Sequence, residues 1–557
     1  MDKTKKTGLA EKIIHAGFIV GLAHILLKFA GLIQVRFATQ YLEPSLYEPI
    51  LVVAFGGILN NLFLIGEEVI GPTFLTVFMK EREDGGESRA WKFASQFLTF
   101  QGLLLLLLVA TIVCWPDFYI GLFTSWTPES QPLLYARLRT CLRILAPALW
   151  FLSLGSTTYV LLNGYKKFFL AAFGDTTTKI CIILGLVVGM GIFGCDFRAL
   201  LAGILIGSAG KLLTHLAGIL GPLRNFRPSL NWRNPALKAM VILMIPLFAG
   251  IIFAKVRDVF NNVYILSRLD REGILMANDL GRKLFASIQW LVPYSLQIAL
   301  FPFLCELVSK NDRQKLGEIL GNSCRLLLTV FGPLATTLAA LAMPCTIALF
   351  LGGKTGFELA SWAGVSTACY TLVLPAAAVE CVLMQGFFAD RRAVAVTVIG
   401  ISASLLAVVI SYVCIVVCGI SQPVPVLCVV SLGFVLSRFL KSCALACYFQ
   451  RSAPLFQYRE IIVFLVKVLA LSLLTGGCAW LLSQAVATVL PDGIADAFAA
   501  LQENPAANPA VSRLRIFLRL AIAGGGACLA FCLGAWLLRL QEPRLMLGWV
   551  KQKLHRK

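Results

Sequence analysis

Several ionisable side chains stand inside long apolar runs of this chain. Lys28 and Arg36 share one run, and Glu67 and Glu68 stand in the next. Lys255, Arg257 and Asp258 share another, followed by Arg282 and Lys283, with Glu380 further on. A charge at mid-bilayer costs a few kcal/mol even on lenient scales, so it is kept where it faces water or a partner. Lys28 and Arg36 are eight residues apart, a little over two helical turns, so both can look along one face. Arg and Lys give charge-assisted hydrogen bonds to phosphate oxygens. The chemistry on offer is a cationic cavity for an anionic headgroup, and pyrophosphate would match it. A plainer reading stands beside this one. Lys255 and Asp258, three apart, can pair locally, as can Asp279 and Arg282. Arg36, Glu67, Glu68 and Arg282 can snorkel to an interface, where Lys179, Lys211, Lys441, Lys467 and Arg519 are expected to lie.

No catalytic constellation accompanies these charges. No loop gathers His, Ser and an acid, no DxD-type acidic pair sits in a loop expected to be cytoplasmic, and no phosphate-binding loop occurs. Gly352-Gly353-Lys354-Thr355-Gly356 lacks the spacing of a phosphate loop and reads as a tight turn. The 17 cysteines form no CxxC pair, and the four histidines form no ligand cluster. Cys414/Cys418, Cys443/Cys447 and Cys528/Cys532 read as apolar helix filler. No cofactor, metal or catalytic residue is expected.

The elements that must position the charges follow from composition. Of 557 residues, 58% are hydrophobic and 14% charged, with mean hydropathy +0.81. A soluble chain is about half apolar and about a quarter charged. That difference excludes a soluble enzyme, a disordered chain and a disulfide scaffold, and leaves an all-α polytopic membrane protein. Runs of about 20 apolar residues predict 14 spans, at 14–39, 47–79, 93–115, 138–162, 168–193, 197–221, 239–266, 273–308, 319–351, 359–387, 393–418, 422–449, 459–486 and 513–538. The net charge of +20 sits mostly in alternate loops, such as Lys80/Arg82/Arg89/Lys92, Lys166/Lys167, Arg224/Arg227/Arg233 and Arg391/Arg392. About 27 basic residues fall on one side and about 8 on the other, so both termini are expected in the cytoplasm and nucleic acid is not a partner. The basic N-terminus carries no cleavage site, so the first helix is expected to remain as an anchor. The outer loop at 487–512 shows no obvious fold.

Three features recur at similar offsets. Val35-Arg36 returns as Val256-Arg257 about 221 residues later, Asn163-Gly164-Tyr165 as Gln385-Gly386-Phe387 about 222 later, and Pro72-Thr73-Phe74-Leu75 is paralleled by Pro302-Phe303-Leu304 at a similar, slightly longer offset. This predicts two pseudo-repeated six-helix lobes, helices 1–6 in 1–221 and 7–12 in 222–449. Helices 13 and 14 and a basic tail fill 450–557. Twin repeats around a midplane site are a transporter architecture.

Ordered motifs resemble the lipid II flippases (MurJ, formerly MviN) of the multidrug/oligosaccharidyl-lipid/polysaccharide exporter superfamily. Val53-Ala54-Phe55, Leu59-Asn60-Asn61-Leu62, Glu67 and Phe74 resemble the family's second helix. Pro147, Leu162 to Phe168 and Ala172-Phe173 resemble its fourth-to-fifth helix stretch, and Pro246 to Asn261 its seventh helix. Pro302, Ser309-Lys310 and Leu351 to Phe357 follow in order, then Gly386 to Arg392, like the family's "GFYSxxDTKTP" loop. The resemblance implies a flippase, not an enzyme, in the bacterial inner membrane. It would carry undecaprenyl-pyrophosphate-linked peptidoglycan precursor outward by alternating access, among membrane lipids and cell-wall synthesis proteins.

The departures bear on the site. Lys28 keeps the cation that precedes the family's GFxRD motif, but its Arg-Asp aligns with Gln34-Val35. The acid before the second helix aligns with Pro49, beside Glu48, and an Arg-Arg aligns with Leu62-Phe63. Arg282-Lys283 retains a cation, while Lys255 and Arg257 fall where the family is uncharged. Lys28, Arg36, Lys255, Arg257, Arg282 and Lys283 are the expected headgroup ligands. Glu48, Glu67, Asp258 and Glu380 are the acids that could couple an ion or pair structurally. Other readings remain open: a flippase for another lipid-linked oligosaccharide, a cation-coupled exporter of small molecules, or a non-transporting scaffold of cell-wall synthesis.

Overall fold

Peptide groups in lipid find no water, so an apolar run must bond its backbone within itself, as a helix. The computed structural model describes residues 30–542 except Gly56, Asp270, 290–299, Pro302, Ser309, Arg391, 504–509 and Gln541. Lys28 lies outside the described residues, and the first and eighth expected spans lie partly outside them. The described residues contain helices and no strand; a bridge between Gly352 and Thr355 closes the turn at 352–356.

The first unit, Met1–Glu272, holds α1 (30–41), α2 (Pro44–Ile50), α3 (Ile58–Cys114), α4 (Pro116–Phe123), α5 (Pro132–Gly164), α6 (Phe168–Leu184), α7 (Arg198–Gly218) and α8 (Pro235–Val259). The second, Gly273–Lys557, holds α9 (Ile274–Gln289), α10 (Arg313–Phe350), α11 (Phe357–Thr371), α12 (Leu374–Ala389), α13 (Ala393–Ser411), α14 (Pro423–Gln450), α15 (Tyr458–Val489), α16 (Ile494–Glu503) and α17 (Arg513–Leu537). The chain is a multi-pass membrane protein. Nine helices among the described residues are long and apolar enough to cross a bilayer, or eleven if two bent pairs each count as one span. One bend, of 45°, falls at Pro246 in α8, where a proline withholds a backbone N–H. The seventh span packs against α3 and so belongs to the first unit.

Within the first unit, Phe74 stacks on Phe78 and Phe93 at 5.9 and 5.3 Å, beside buried Trp91. On α7, a Cβ at Gly203 or Gly207 would come within 2.7 Å of the Cys181 carbonyl and 2.9 Å of the Thr178 carbonyl on α6. Small residues are what let helix backbones approach this closely in lipid. In the second unit, Phe285 stacks on Tyr370 at 5.2 Å and Phe387 meets Phe449 edge-on at 5.0 Å.

The basic loop expected at 80–92 is instead helix almost throughout. Pro44–Cys114 runs as 71 residues and contains both the second and third expected spans. Within α3 only Gly85 and Gly86 leave helical geometry, and Gly86 has φ 71°. A residue with no Cβ takes that conformation without steric cost, so two glycines suffice to reverse the chain. Ion pairs bridge the reversal, Glu81 to Arg89 and Arg82 to Glu87, both at 2.6 Å. The Tyr165 hydroxyl accepts from Trp91 Nε1 at 2.8 Å and donates to Glu87 at 2.6 Å. Burial, then the Glu87 hydrogen bond, push its phenol up to about 12, so it stays a donor at neutral pH.

The loop expected at 487–512 also has a fold over its described residues. Its α16 buries Ile494 and Ala497 against Phe357 and Ile516. Asp492 caps it, accepting from the Ile494 N–H at 3.1 Å. The same carboxylate meets Arg519 at 2.8 Å, and Arg519 also donates to Ser483 at 2.7 Å. Arg519 is thus buried and paired, where an interfacial position was expected. Asp492→Asn keeps a capping oxygen and loses the charge, and should cost about 1–2 kcal/mol. Hydrogen exchange should then speed up in 494–503 and not in α10.

The repeat shows in backbone bonds. Lys167 N–H bonds Leu162 carbonyl and Arg392 bonds Phe387; Phe193 bonds Val188 and Cys418 bonds Val413. Left-handed Gly194 and Gly419 close the two runs. All these pairs stand 225 residues apart, so the register after the fourth span is three residues longer than the sequence match of Gly164 with Gly386 had it.

Candidate functional site

Each candidate charge sits on an apolar helix, which leaves it few ways to be satisfied. On α8, Lys255 reaches across to α3 and pairs with Glu68 at 2.7 Å. Arg257, mostly buried, folds back on Asp258, with Nε at 3.1 Å and Nη2 at 2.8 Å from one carboxylate oxygen. The local pair expected between Lys255 and Asp258 is therefore not formed; each takes another partner. The π-helical turn Phe260–Tyr264 follows at once, and Asn262 donates to the Asp258 carbonyl at 2.7 Å.

Around Glu67 lies a second cluster. Lys211 of α7, only 3% exposed, pairs with Asp175 of α6 at 2.6 Å. Its ammonium lies 5.0 Å from the Phe63 ring centroid, a favourable cation–π placement. Glu67 lies in the combined field of Lys211, Asp175, Glu68 and Lys255. His215, one turn along from Lys211, sets Nδ1 2.9 Å from the Gly155 carbonyl and Nε2 3.0 Å from the Ala171 carbonyl. The interfacial position expected for Lys211 is thus replaced by burial. The cation also stands beside Phe63, one of the positions at which the resembled family carries arginine. The sequence reading found no replacement there because the replacement comes from a helix about 150 residues away.

Arg36 lies near the end of α1, its guanidinium 3.5 Å from Thr39 Oγ1. Glu48 is 1% exposed in the short helix α2. In the second unit Lys283 pairs with Asp279 at 2.6 Å, so Lys283 rather than Arg282 takes the local acid; Arg282 is half-buried beside it. Glu380 of α12 is held by Arg438 and Lys441 of α14, each at 2.7 Å. That places Lys441 in a buried network rather than at an interface. Asp175 and Arg438 escaped the sequence reading, although an arginine deep in the twelfth apolar run is a signal that could have found the second.

The described candidates divide between the two units: Arg36, Glu48, Glu67, Glu68, Lys255, Arg257 and Asp258 in the first, and Arg282, Lys283 and Glu380 in the second. The groups offer cations on apolar helices, of which Lys255, Arg257 and Lys283 each face a carboxylate. A phosphate oxygen accepts the same donors as a carboxylate oxygen, so exchange of one anion for the other is the chemistry this arrangement can perform. Among the described residues no His, Cys, Asp and Glu group is placed to hold a metal.

Comparison with known proteins bears on what is exchanged. The sequence profile of the family described as "Lipid II flippase MurJ" matches residues 19–491. The lipid II flippase MurJ of Burkholderia cenocepacia is 25% identical over 45% of this chain and 49% of its own. The chain thus spans about half the length of that relative. The probable lipid II flippase MurJ of Haemophilus influenzae is 22% identical over 75% of this chain and 82% of its own. The solved lipid II flippase MurJ in an inward closed conformation superposes with TM-score 0.68 at 17% identity, over 94% of this chain and 99% of the other. An inward-facing multidrug resistance transporter of the MATE family and MOP superfamily gives 0.65 at 11% identity, over 78% and 97%. These two likenesses show the fold.

Proposed function

The chain belongs to the lipid II flippase family, and we propose that it moves an undecaprenyl-pyrophosphate-linked peptidoglycan precursor from the inner to the outer leaflet by alternating access. The observation that carries the reading is a pair of cations, Lys255 and Arg257, two residues apart on an apolar helix and each against a carboxylate. Pyrophosphate oxygens take the place of Glu68 and Asp258 on the same N–H donors. The exchange trades one anion for another, so neither state leaves a cation unpaired in a low dielectric. Lys28, Arg36, Arg282 and Lys283 complete the headgroup ligands. Glu48, Glu67 and Asp258 are the acids that release and recover these cations, and Glu380 is the structural acid of α12.

The protein makes and breaks no covalent bond and needs no cofactor. It resides in the bacterial inner membrane with both termini in the cytoplasm. Fourteen spans remain our reading; the turn of Pro44–Cys114 at Gly85-Gly86, which makes two spans of one run, supports it. Residues 1–221, 222–449 and 450–557 are its functional divisions, and the enzymes of cell-wall synthesis are its neighbours.

One observation favours a second reading, a non-transporting scaffold: Lys255, Arg257 and Lys283 are each already neutralised by a carboxylate. Complementation separates the two. A bacterium depleted of its own lipid II flippase should be rescued by the wild-type chain and not by equally expressed Lys28→Ala or Lys283→Ala variants. No rescue by a well-expressed wild-type chain rejects lipid II as the cargo. Rescue by every variant rejects the cationic site.

A further inference from the structure

Three helices of the first unit close on one imidazole. His215 of α7 is fully buried. Its Nε2 lies 3.0 Å from the Ala171 carbonyl of α6. Its Nδ1 lies 2.9 Å from the Gly155 carbonyl and 3.2 Å from Thr158 Oγ1, both on α5. A Cβ at Gly174 of α6 would collide with Nε2, so the ring's seat requires glycine there. The Tyr159 ring of α5 stands 6.1 Å away, centroid to centroid. His215 has no part in the headgroup exchange proposed above.

Both protonation states of the ring are fully bonded in this seat. A neutral imidazole has one donor and one acceptor. The Nε2–H then donates to the Ala171 carbonyl, and Nδ1 accepts from the Thr158 hydroxyl. An imidazolium has two donors. Its Nε2–H keeps the Ala171 carbonyl and its Nδ1–H donates to the Gly155 carbonyl, while the Thr158 hydroxyl turns to the Leu154 carbonyl, 3.0 Å away. One hydroxyl rotation separates the two states, and only the charged one uses Gly155.

The charged groups around the ring can absorb the change. Lys211 on α7 and Asp175 on α6 act on His215, and the same two act on Glu67 of α3. Lys179 on α6 also acts on Asp175, and Glu68 and Lys255 act on Glu67. Lys211 neutralises Asp175 at 2.6 Å, and Lys255 neutralises Glu68 at 2.7 Å. One carboxyl and one imidazole then share the field of the Lys211–Asp175 pair. Neutral Glu67 with neutral His215 holds the same protons and the same net charge as carboxylate with imidazolium. Passing between them strands no lone charge in a low dielectric.

We propose that His215 is a proton-binding site that exchanges its proton against the Glu67 carboxyl across the Lys211–Asp175 pair. The O–H bond of Glu67 breaks as the N–H bond at Nδ1 forms, and no other reactant takes part. The ligand is a proton, and the site stands whether or not the chain carries lipid II.

The test reads the ring nitrogens by NMR in the full chain, labelled with nitrogen-15 histidine and held in detergent. The chain has four histidines, so the signals are few. The His215→Gln variant assigns its own signal; should it fail to fold, replacing His15, His24 and His555 by Gln leaves the His215 signal by elimination. Both ring nitrogens should become protonated as the pH falls, with a midpoint between about pH 5 and pH 8. Thr158→Val removes the donor that serves the neutral ring and should raise the midpoint by about one pH unit. Glu67→Gln removes the counter-charge and should lower it by about as much. A ring that keeps one neutral tautomer throughout that range overturns the proposal. So does a midpoint that Glu67→Gln leaves in place, because His215 would then titrate without reference to Glu67.

Discussion

Replacing Lys255 and Arg257 together by Glu is expected to abolish translocation. In the resting arrangement each cation faces one carboxylate, Lys255 with Glu68 and Arg257 with Asp258. Reversal sets like charges against each other on both contacts and takes two cations away from a pyrophosphate. A hydrogen bond to a charged group is worth about 1.5–3 kcal/mol. Losing two such bonds to the headgroup predicts a drop in flipping of at least about a hundredfold in vesicles carrying labelled lipid II. Glu68→Lys added to Lys255→Glu restores the ion pair but not the cation's place on α8. It should recover thermal stability without recovering transport. Full transport by the double reversal would show that these cations are structural, and would remove the basis for the site on α8.

Lys211→Met is expected to give the largest loss of stability of any single change here. Lys211 is almost fully buried, with Asp175 at 2.6 Å and the Phe63 ring at 5.0 Å. Removing one partner of a fully buried pair costs about 3–5 kcal/mol, because it strands the other charge; with the Asp175 side chain 36% exposed, the cost here should be lower, about 2–3 kcal/mol. Here Asp175 is stranded and Glu67, which also faces Lys211, loses the same cation. The paired replacement Asp175→Leu, Lys211→Met takes away both charges, and such exchanges are often neutral. Thermal unfolding in detergent should show the single variant well below wild type and the double variant close to it. A double variant as unstable as the single would mean that the cost comes from lost packing, not from the stranded carboxylate.

Much of this architecture is legible in the sequence. Apolar runs of span length, separated by alternately basic loops, determine a polytopic helical membrane protein, because only internally bonded backbone survives in lipid. Ordered short motifs determine the family. The repeat is legible too, although its register is not. Aligning Gly164 with Gly386 satisfies residue types, whereas the backbone bonds of Lys167 and Arg392 set the offset at 225. Apolar runs carry little information about register, since a slide of three residues leaves their hydropathy unchanged.

Partner choice was decided only by the tertiary structure. From spacing, Asp258 is within reach of Lys255 and Asp279 within reach of Arg282; in the fold Glu68 takes Lys255, Arg257 takes Asp258, and Lys283 takes Asp279. Lys211, Lys441 and Arg519 read as interfacial because snorkelling is the cheapest solution for a lone cation near a span's end. The fold gives each a carboxylate from another element: Asp175, Glu380 and Asp492. Likewise Phe63, at a position where the resembled family has arginine, has a cation beside it only because α7 packs there. Periodicity reports which face of a helix is apolar, a property of one segment. Whether a charge on that face is neutralised depends on which residue of a sequence-distant helix lies within about 4 Å, and that distance exists only once the helices have packed.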